Sequence, residues 1–295
     1  MTAPVFFERV CLIGIGLIGA SLARVLRRDG LAGHIVGCAR TEKTRETALS
    51  LGLIDSAYES PAEAARDADL VVICTPIGSY GAIGAAIAGA LKPGAIVSDV
   101  GSVKQAAIEA LAPRLPPEVT FVPAHPVAGT EHSGPEAGFA ELFAGRWCIL
   151  TPEAGTDPAA VDRVRALWQQ AGMAVAVMDA DHHDRVMAIT SHVPHLIAFT
   201  IVGTATDLED VLQGEVVKFA AGGFRDFTRI AASDPVMWRD IFLNNRTAVL
   251  DALGRLTEDL ATLQRAIRNG DGETLEALFA RTRALRRAIV EAKQD

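Results

Sequence analysis

The sequence is short of positive charge: 28 lysines and arginines stand against 36 aspartates and glutamates, a net charge of −8. So acidic a chain lacks the basic field that nucleic acid or an anionic membrane surface selects, and any anionic ligand must be held by a few local arginines. Cysteine is also sparse. Cys11, Cys38, Cys74 and Cys148 are far apart and form no CxxC pair, which excludes a thiolate-rich structural zinc site and reads as reduced, buried thiols of a cytoplasmic protein. The N-terminus has no basic stretch leading into an apolar one, and the longest apolar runs, 70–74 and 196–202, are too short to span a bilayer, so neither a leader nor a membrane anchor is expected. Nothing suggests disorder: 49% apolar content in 295 residues supplies cores for two domains at about 100–200 residues each.

What the chain does have is a glycine fingerprint. The apolar run at 10–13 enters Gly14-x-Gly16-x-x-Gly19, and Ile18, Leu22, Val25 and Leu26 then recur at helical spacing. A strand that turns directly into an amphipathic helix in this way is a dinucleotide seat. Gly14 allows the tight turn, Gly16 lets backbone approach a pyrophosphate, Gly19 lets helix and strand pack closely, and the free N–H groups at the helix start face the phosphates. Ile15, Leu17 and Ile18 complete that loop as cofactor-binding positions. About 20 residues further on, an NAD fold usually places a carboxylate against the ribose 2′-hydroxyl. Here Ala39 occupies that place, followed by Arg40 and Thr41. A guanidinium with a hydroxyl neighbour suits a 2′-phosphate, so NADP is favoured over NAD without excluding it.

Strand-like runs at 35–38, 70–74, 95–99, 120–122, 148–150 and 174–178 alternate with helical or loop stretches such as 82–91 and 159–171. That alternation is α/β, a mostly parallel, doubly wound sheet of Rossmann type covered on both faces. After Asp179 the strands stop. Val186, Ile189, Val193, Leu196 and Ile197 keep helical spacing with a kink expected at Pro194, and Asp234 caps a long helix opened by Pro235 and running to about Arg268. Asn269-Gly270-Asp271-Gly272 breaks the chain before a last amphipathic helix carrying Leu275, Leu278, Phe279, Thr282, Leu285 and Ile289. The expected division is a dinucleotide-binding domain, 1–179, and an all-helical domain, 180–295, which buries its apolar face against the first domain and a second subunit.

Four later motifs carry polar residues that a bare nucleotide fold does not need. Asp99-Val-Gly-Ser102-Val-Lys104 lies at the C-terminal end of a strand, where open α/β sheets place ligands. Ser102 with Gln105 also fits a capping box, so the same stretch reads as a helix start. His125 directly follows a strand and precedes Pro126, which fixes it in non-helical backbone pointing towards the cofactor. His192 and His195 lie three apart on one helical face. With His182 and His183 upstream they invite a zinc reading, which the missing thiolate partners disfavour, so no metal is expected. Finally Arg225, Asp226 and Arg229, followed by Trp238-Arg239-Asp240, form either a surface ion network or the anchors for a carboxylated substrate.

Together GIGLIGASLA, DVGSVK, HPVAGTEHSG, SHVPH and GGFRDFTRIAASDPVMWRD, in this order over nearly the whole chain, resemble the prephenate/arogenate dehydrogenase (TyrA) family. The resemblance implies NAD(P)-dependent oxidative decarboxylation of prephenate in tyrosine biosynthesis, by a homodimer joined through the helical domain. It makes His125 the catalytic histidine that takes the proton of the ring hydroxyl, and Ser102 the residue that orients His125 and the nicotinamide. Arg229 would bind a substrate carboxylate, His195 would contact the substrate, and Glu131 would lie near its side chain. Asp226 and Trp238 would support that pocket, and Thr75 and Pro76 would line the cofactor. Ala39-Arg40 departs from the acidic residue many members carry. Three other readings stand beside this one: an arogenate-specific enzyme, a non-catalytic nucleotide sensor, and a β-hydroxyacid dehydrogenase. The last relies on a catalytic lysine, where this region offers Lys218 and Lys293 without a matching motif.

Overall fold

A computed structural model describes residues 6–206, 218 and 222–291; Lys293 and the side chain of Ile289 lie outside the described residues. β1 (Phe7–Ile13), β2 (Ala32–Cys38), β3 (Ser56–Tyr58), β4 (Leu70–Ile73), β5 (Ile96–Asp99) and β6 (Thr120–Val122) form one parallel sheet in the order β3-β2-β1-β4-β5-β6. The order reverses beside β1, so the crevice past the carboxyl ends of β1 and β4 is a topological switch point, where such sheets bind ligands. Successive residues of β1 and β4 explain why the strands read as continuous apolar runs. Val10, Leu12, Leu70 and Val72 enter the core on one face, while Cys11, Ile13, Val71 and Ile73 enter the core on the other.

The helices on these faces are α1 (Leu17–Arg28), α2 (Glu42–Ser50), α3 (Pro61–Ala65), α4 (Tyr80–Ile87), α5 (Lys104–Leu111) and α6 (Pro158–Gln170). A second sheet, not expected from the sequence, follows: β7 (Ala124–Pro126) pairs antiparallel with β8 (Trp147–Leu150), and β8 parallel with β9 (Ala174–Val177). His125 is therefore not in the loop after a strand. It sits in the middle of β7, opposite Ile149, because the chain leaves β6 at Pro123, whose carbonyl accepts from Thr151 N at 3.0 Å and so carries the pairing over to β8.

α7 (Ala180–Met187), a π-helical turn (Ala188–His192) and α8 (Val193–Thr206) run on from one another. The kink expected at Pro194 takes the form of that widened turn, since proline offers no N–H to the carbonyl four residues back and its ring crowds it. Fusion of the three pieces makes Ala180–Ala205 long and apolar enough to cross a membrane by length and composition, which none of the separate apolar runs is. Within it, His183 and Asp184 are buried and hydrogen-bonded to other parts of the protein.

The remaining helices among the described residues are α9 (Gly222–Thr228), α10 (Pro235–Asn244), α11 (Arg246–Asn269) and α12 (Gly272–Glu291). Asp234 caps α10 as expected, accepting from Met237 N at 2.8 Å. The single long helix expected from Pro235 to Arg268 is instead broken at Asn245 (φ −105°, ψ 35°). The buried side chain of Asn245 is drawn elsewhere, its Nδ2 lying 2.8 Å from the Asp184 carbonyl and 3.0 Å from His192 Nδ1. By proximity the chain forms two compact units, Met1–Arg246 and Thr247–Asp295; the helices between 180 and 246 thus group with the sheets. In the second unit α11 and α12 leave Leu250, Leu260, Ile267, Phe279 and Leu285 exposed.

The turn out of β1 gives a direct test of the packing. A Cβ on Gly19 would stand 2.1 Å from the Gly14 carbonyl oxygen, whereas one on Gly16 would meet nothing within 4 Å. Gly19→Ala should lose about 1–3 kcal/mol in urea unfolding, and Gly16→Ala, at an ordinary φ of −88°, only about 0.5 kcal/mol or less; equal losses would contradict this packing.

Candidate active site

The glycine turn is built by what surrounds it. Gly14 adopts φ 100°, its N–H donates to the Cys38 carbonyl at 2.8 Å, and a Cβ there would meet the Cys74 backbone and Thr75 Cγ2 at 2.9 Å. Gly16 is different, because neither its φ nor any protein neighbour demands glycine. The space beside it is open. No side chain caps α1 and its first turn carries no acid, so its leading N–H groups and the positive end of its dipole suit a phosphate. Ile15 is buried in the core and Leu17 and Ile18 pack against it, which leaves their backbone as what they can offer. Thr75 bonds Ser79 Oγ at 2.7 Å, and Pro76 leads into the turn Ile77–Ser79.

At the end of β2, Ala39 N donates to the Tyr58 carbonyl at 3.2 Å. The Thr41 hydroxyl caps α2, accepting from Thr44 N at 3.3 Å, and so has a structural task that the sequence did not announce. Arg40 makes no side-chain hydrogen bond or ion pair among the described residues. Arg45, passed over in the sequence, donates to the carbonyls of Ala39 (2.7 Å) and Arg40 (3.1 Å) and holds this edge in shape.

The catalytic histidine of the sequence reading is fixed by buried polar groups. Asp99, the last residue of β5, accepts from Lys104 Nζ (2.5 Å), Gly101 N (2.8 Å), Tyr80 Oη (3.1 Å) and Ala124 N (3.1 Å). Lys104 Nζ also donates to the Ala124 carbonyl at 2.7 Å. Both side chains of this ion pair are fully buried, and between them they clamp the residue before His125. Burial lowers the Lys104 pKa and the Asp99 charge opposes that. His125 Nδ1 lies 2.8 Å from His183 Nε2, and His183 Nδ1 lies 2.7 Å from Asp184 Oδ1. The Asp184 carboxylate also accepts from the N–H groups of Lys104 (2.8 Å) and Gln105 (3.0 Å). The capping box expected of Ser102 and Gln105 is therefore not formed. Val103 is the N-cap residue, a carboxylate from eighty residues away serves the helix start, and the Ser102 hydroxyl bonds neither His125 nor any other described residue.

On the other side of the site His195 Nδ1 donates to the Ser191 carbonyl (2.8 Å), and its ring stacks on Trp238 at 3.7 Å. Trp238 is buried with its Nε1 unpartnered and packs with Val103, next to Ser102. Arg229, exposed in the turn before α10, lies 3.6 Å from Glu131, which follows His125 by six residues in the chain. Asp226 is exposed on α9 and Arg229 pairs with Glu131 rather than with it.

Two family models cover most of the chain: one described as prephenate dehydrogenase, nucleotide-binding domain, over residues 22–177, and one described as prephenate dehydrogenase, dimerization domain, over 179–281. A similar relative is the cyclohexadienyl dehydrogenase of Zymomonas mobilis, 40% identical over 283 residues, 96% of either chain. Among solved structures, a prephenate dehydrogenase from A. aeolicus in complex with hydroxyphenyl propionate and NAD+ is similar at 34% identity and TM-score 0.86, covering 98% of this chain and 100% of that one. The arogenate dehydrogenase of Synechocystis is similar at 29% identity and TM-score 0.79, covering 95% and 99%.

Burial is the leading cause that holds His125, His183, His192 and His195 below the ordinary histidine pKa, His192 at about 4. Neighbouring charges add to this: Lys104 lowers His125 and His183, and Arg229 lowers His195. These groups stay neutral when folded while the unfolded chain takes up protons near about pH 6.5, so the unfolded state binds more protons in the window from there down to about 4. Stability that is fully present above that window is lost as pH falls through it. The urea midpoint should be lower at pH 5 than at pH 7.5; an unchanged or higher midpoint would contradict these burials.

Proposed function

The chain belongs to the prephenate dehydrogenase family and is an NAD(P)-dependent oxidoreductase, and we propose that it converts prephenate to 4-hydroxyphenylpyruvate and CO2 with His125 as the proton acceptor. The observation that carries this reading is the ion pair of Arg229 with Glu131, which brings a carboxylate-binding guanidinium to the loop that follows the buried imidazole. Prephenate is a cyclohexadiene with a hydroxyl at C4 and a carboxylate at C1. The bound nicotinamide supplies the acceptor for the hydride leaving C4. His125, kept neutral by burial, takes the hydroxyl proton, and loss of the C1 carboxylate makes the ring aromatic, which drives the reaction. Arg229 binds the substrate's side-chain carboxylate and gives up part of its pairing with Glu131 to do so. His195, held flat on Trp238, contacts the substrate, and Asp226 adds a carboxylate at the same helix end. Ser102 is assigned to the nicotinamide, an assignment supported by a hydroxyl without a protein partner among the described residues. The loop from Gly14 to Gly19 takes the pyrophosphate, with Thr75 and Pro76 along its wall.

NADP is the cofactor we assign, on the strength of Ala39 in the carboxylate's usual place and an Arg40 side chain that no carboxylate among the described residues engages. The exposed apolar residues of α11 and α12 support a homodimer through the helical domain. The end of β9 at Val177 supports dividing the chain after residue 179, and four free cysteines fit a reducing, cytoplasmic setting. Arogenate is the second reading, favoured by Glu131, whose carboxylate would pair with the ammonium that arogenate carries in place of the keto group.

His125→Asn should lower kcat by about 10²–10⁴-fold with cofactor affinity intact, while Arg229→Leu should chiefly raise the KM for prephenate; an unchanged kcat in the histidine variant would remove its role. The ratio of kcat/KM with NADP to that with NAD should exceed one, and a strong preference for NAD would contradict the assignment at Arg40.

A further inference from the structure

The reading above gives His183 and Asp184 nothing to do, although both are buried and joined to His125. The chain of contacts fixes where the protons sit. A carboxylate only accepts, and Asp184 already receives the N–H groups of Lys104 and Gln105 at the start of α5. Its Oδ1, 2.7 Å from His183 Nδ1, therefore requires the proton of His183 to be on Nδ1, which leaves Nε2 of that ring as a lone pair. A lone pair 2.8 Å from His125 Nδ1 requires a proton there in turn. His125 is then bare at Nε2, the atom a general base must present.

We propose that His183, held by Asp184, is the positioning residue for His125: it fixes the Nδ1–H tautomer, aims Nε2 at the substrate hydroxyl, and accepts the Nδ1 proton once Nε2 is protonated. The inference rests on the proposed reaction for the source of that proton, though not for the tautomer. As the substrate O–H bond breaks and the His125 Nε2–H bond forms, the His125 Nδ1–H bond breaks and a His183 Nε2–H bond forms. The positive charge moves one ring deeper, beside the Asp184 carboxylate. When decarboxylation puts an electron pair on the ring oxygen, Nε2 gives its proton back to that oxygen and the proton on His183 returns to His125 Nδ1, so the cycle neither takes up nor releases a net proton. The charged and titratable groups around the pair are Asp99 of β5, Lys104 of α5, Cys148 of β8, Asp184 of α7 and His192 of the π turn. Lys104 and burial oppose a resident proton on the pair, and Asp184 and Asp99 favour one on His183, so the pair rests neutral and is charged only transiently.

Asp184→Asn separates this role from a structural one. Asparagine with its oxygen in the Oδ1 place still accepts from both Lys104 N and His183 Nδ1, so both tautomers stay, but the negative charge that draws a proton onto His183 is gone. Nitrogen NMR of histidine-labelled protein, without substrate, should show His125 protonated on Nδ1 in the wild type and in Asp184→Asn alike. The variant's kcat should fall by about 10²–10⁴-fold with KM values for prephenate and cofactor little changed, and the acid limb of its kcat/KM profile should move to lower pH. His183→Gln, whose Oε1 can still accept from His125 Nδ1, should retain at least about tenfold more kcat than His183→Ala, a comparison that decides the matter even if Asp184→Asn does not fold. A wild-type His125 protonated on Nε2, an unmoved acid limb in Asp184→Asn, or equal activity in the two His183 variants would each overturn the proposal. The expected tautomer in a protein that fails to oxidise prephenate would instead overturn the substrate assignment.

Discussion

A carboxylate taken out of water at the end of β5 governs where the chemistry can happen. Asp99 and Lys104 are both fully buried, and two ions so placed are costly to desolvate; they are tolerable only when every remaining donor and acceptor is also met. Here they are met by Tyr80, Gly101 and both backbone groups of Ala124. A pair of this kind is weak evidence for added stability, but losing either partner costs about 3–5 kcal/mol, so its geometry is hard to relax. That geometry reaches His125 twice. The Lys104 side chain pins the preceding residue of β7, and the Lys104 backbone N–H fixes Asp184, the far end of the chain that leads through His183 to the same imidazole. One turn at the head of α5 thus sets both the strand and the ring orientation.

How much of this was legible in the sequence depends on how local each cause is. The fingerprint from Gly14 to Gly19, the alternation of strands and helices, and the cap at Asp234 with Pro235 are decided by neighbours a few residues away, and they read correctly. β7 escaped notice because a three-residue strand that ends in a proline carries no periodic signal, and its pairing partner lies in β8, more than twenty residues on. The break at Asn245 was invisible for a similar reason, since its side chain answers to Asp184 and His192. Ser102 misled because a valid local cap pattern lost to a distant carboxylate that meets two backbone donors at once. His183 was weighed in the sequence only as a zinc ligand, because its partner His125 lies 58 residues away and nothing local announces the contact. For the site, motif order and the family resemblance put forward His125, Glu131, Arg229, His195 and Trp238, whereas the contacts that hold His125 in place, through Lys104, His183 and Asp184, carry no local signal.

The electrostatics divide along the same line. The acidic chain concentrates its useful positive charge at the rim, in Arg229 beside Glu131 and in Arg40 at the end of β2, while the interior is kept neutral at four histidines by burial. An anionic substrate and cofactor would be met at the surface by guanidinium groups, and the proton transferred only where water has been excluded. Family membership makes that arrangement intelligible, because oxidation of prephenate asks the protein for one base, one carboxylate anchor and an oriented ring.

The account stands or falls on whether His125 and Arg229 serve one ligand. A crystal structure of the ternary complex with oxidised nicotinamide cofactor and 4-hydroxyphenylpyruvate would show this directly. Its phenolic oxygen is expected within hydrogen-bond reach of His125 Nε2, about 2.6–3.2 Å, with the ligand carboxylate on Arg229. A ligand that engages one of these groups while the other faces a separate pocket would contradict it.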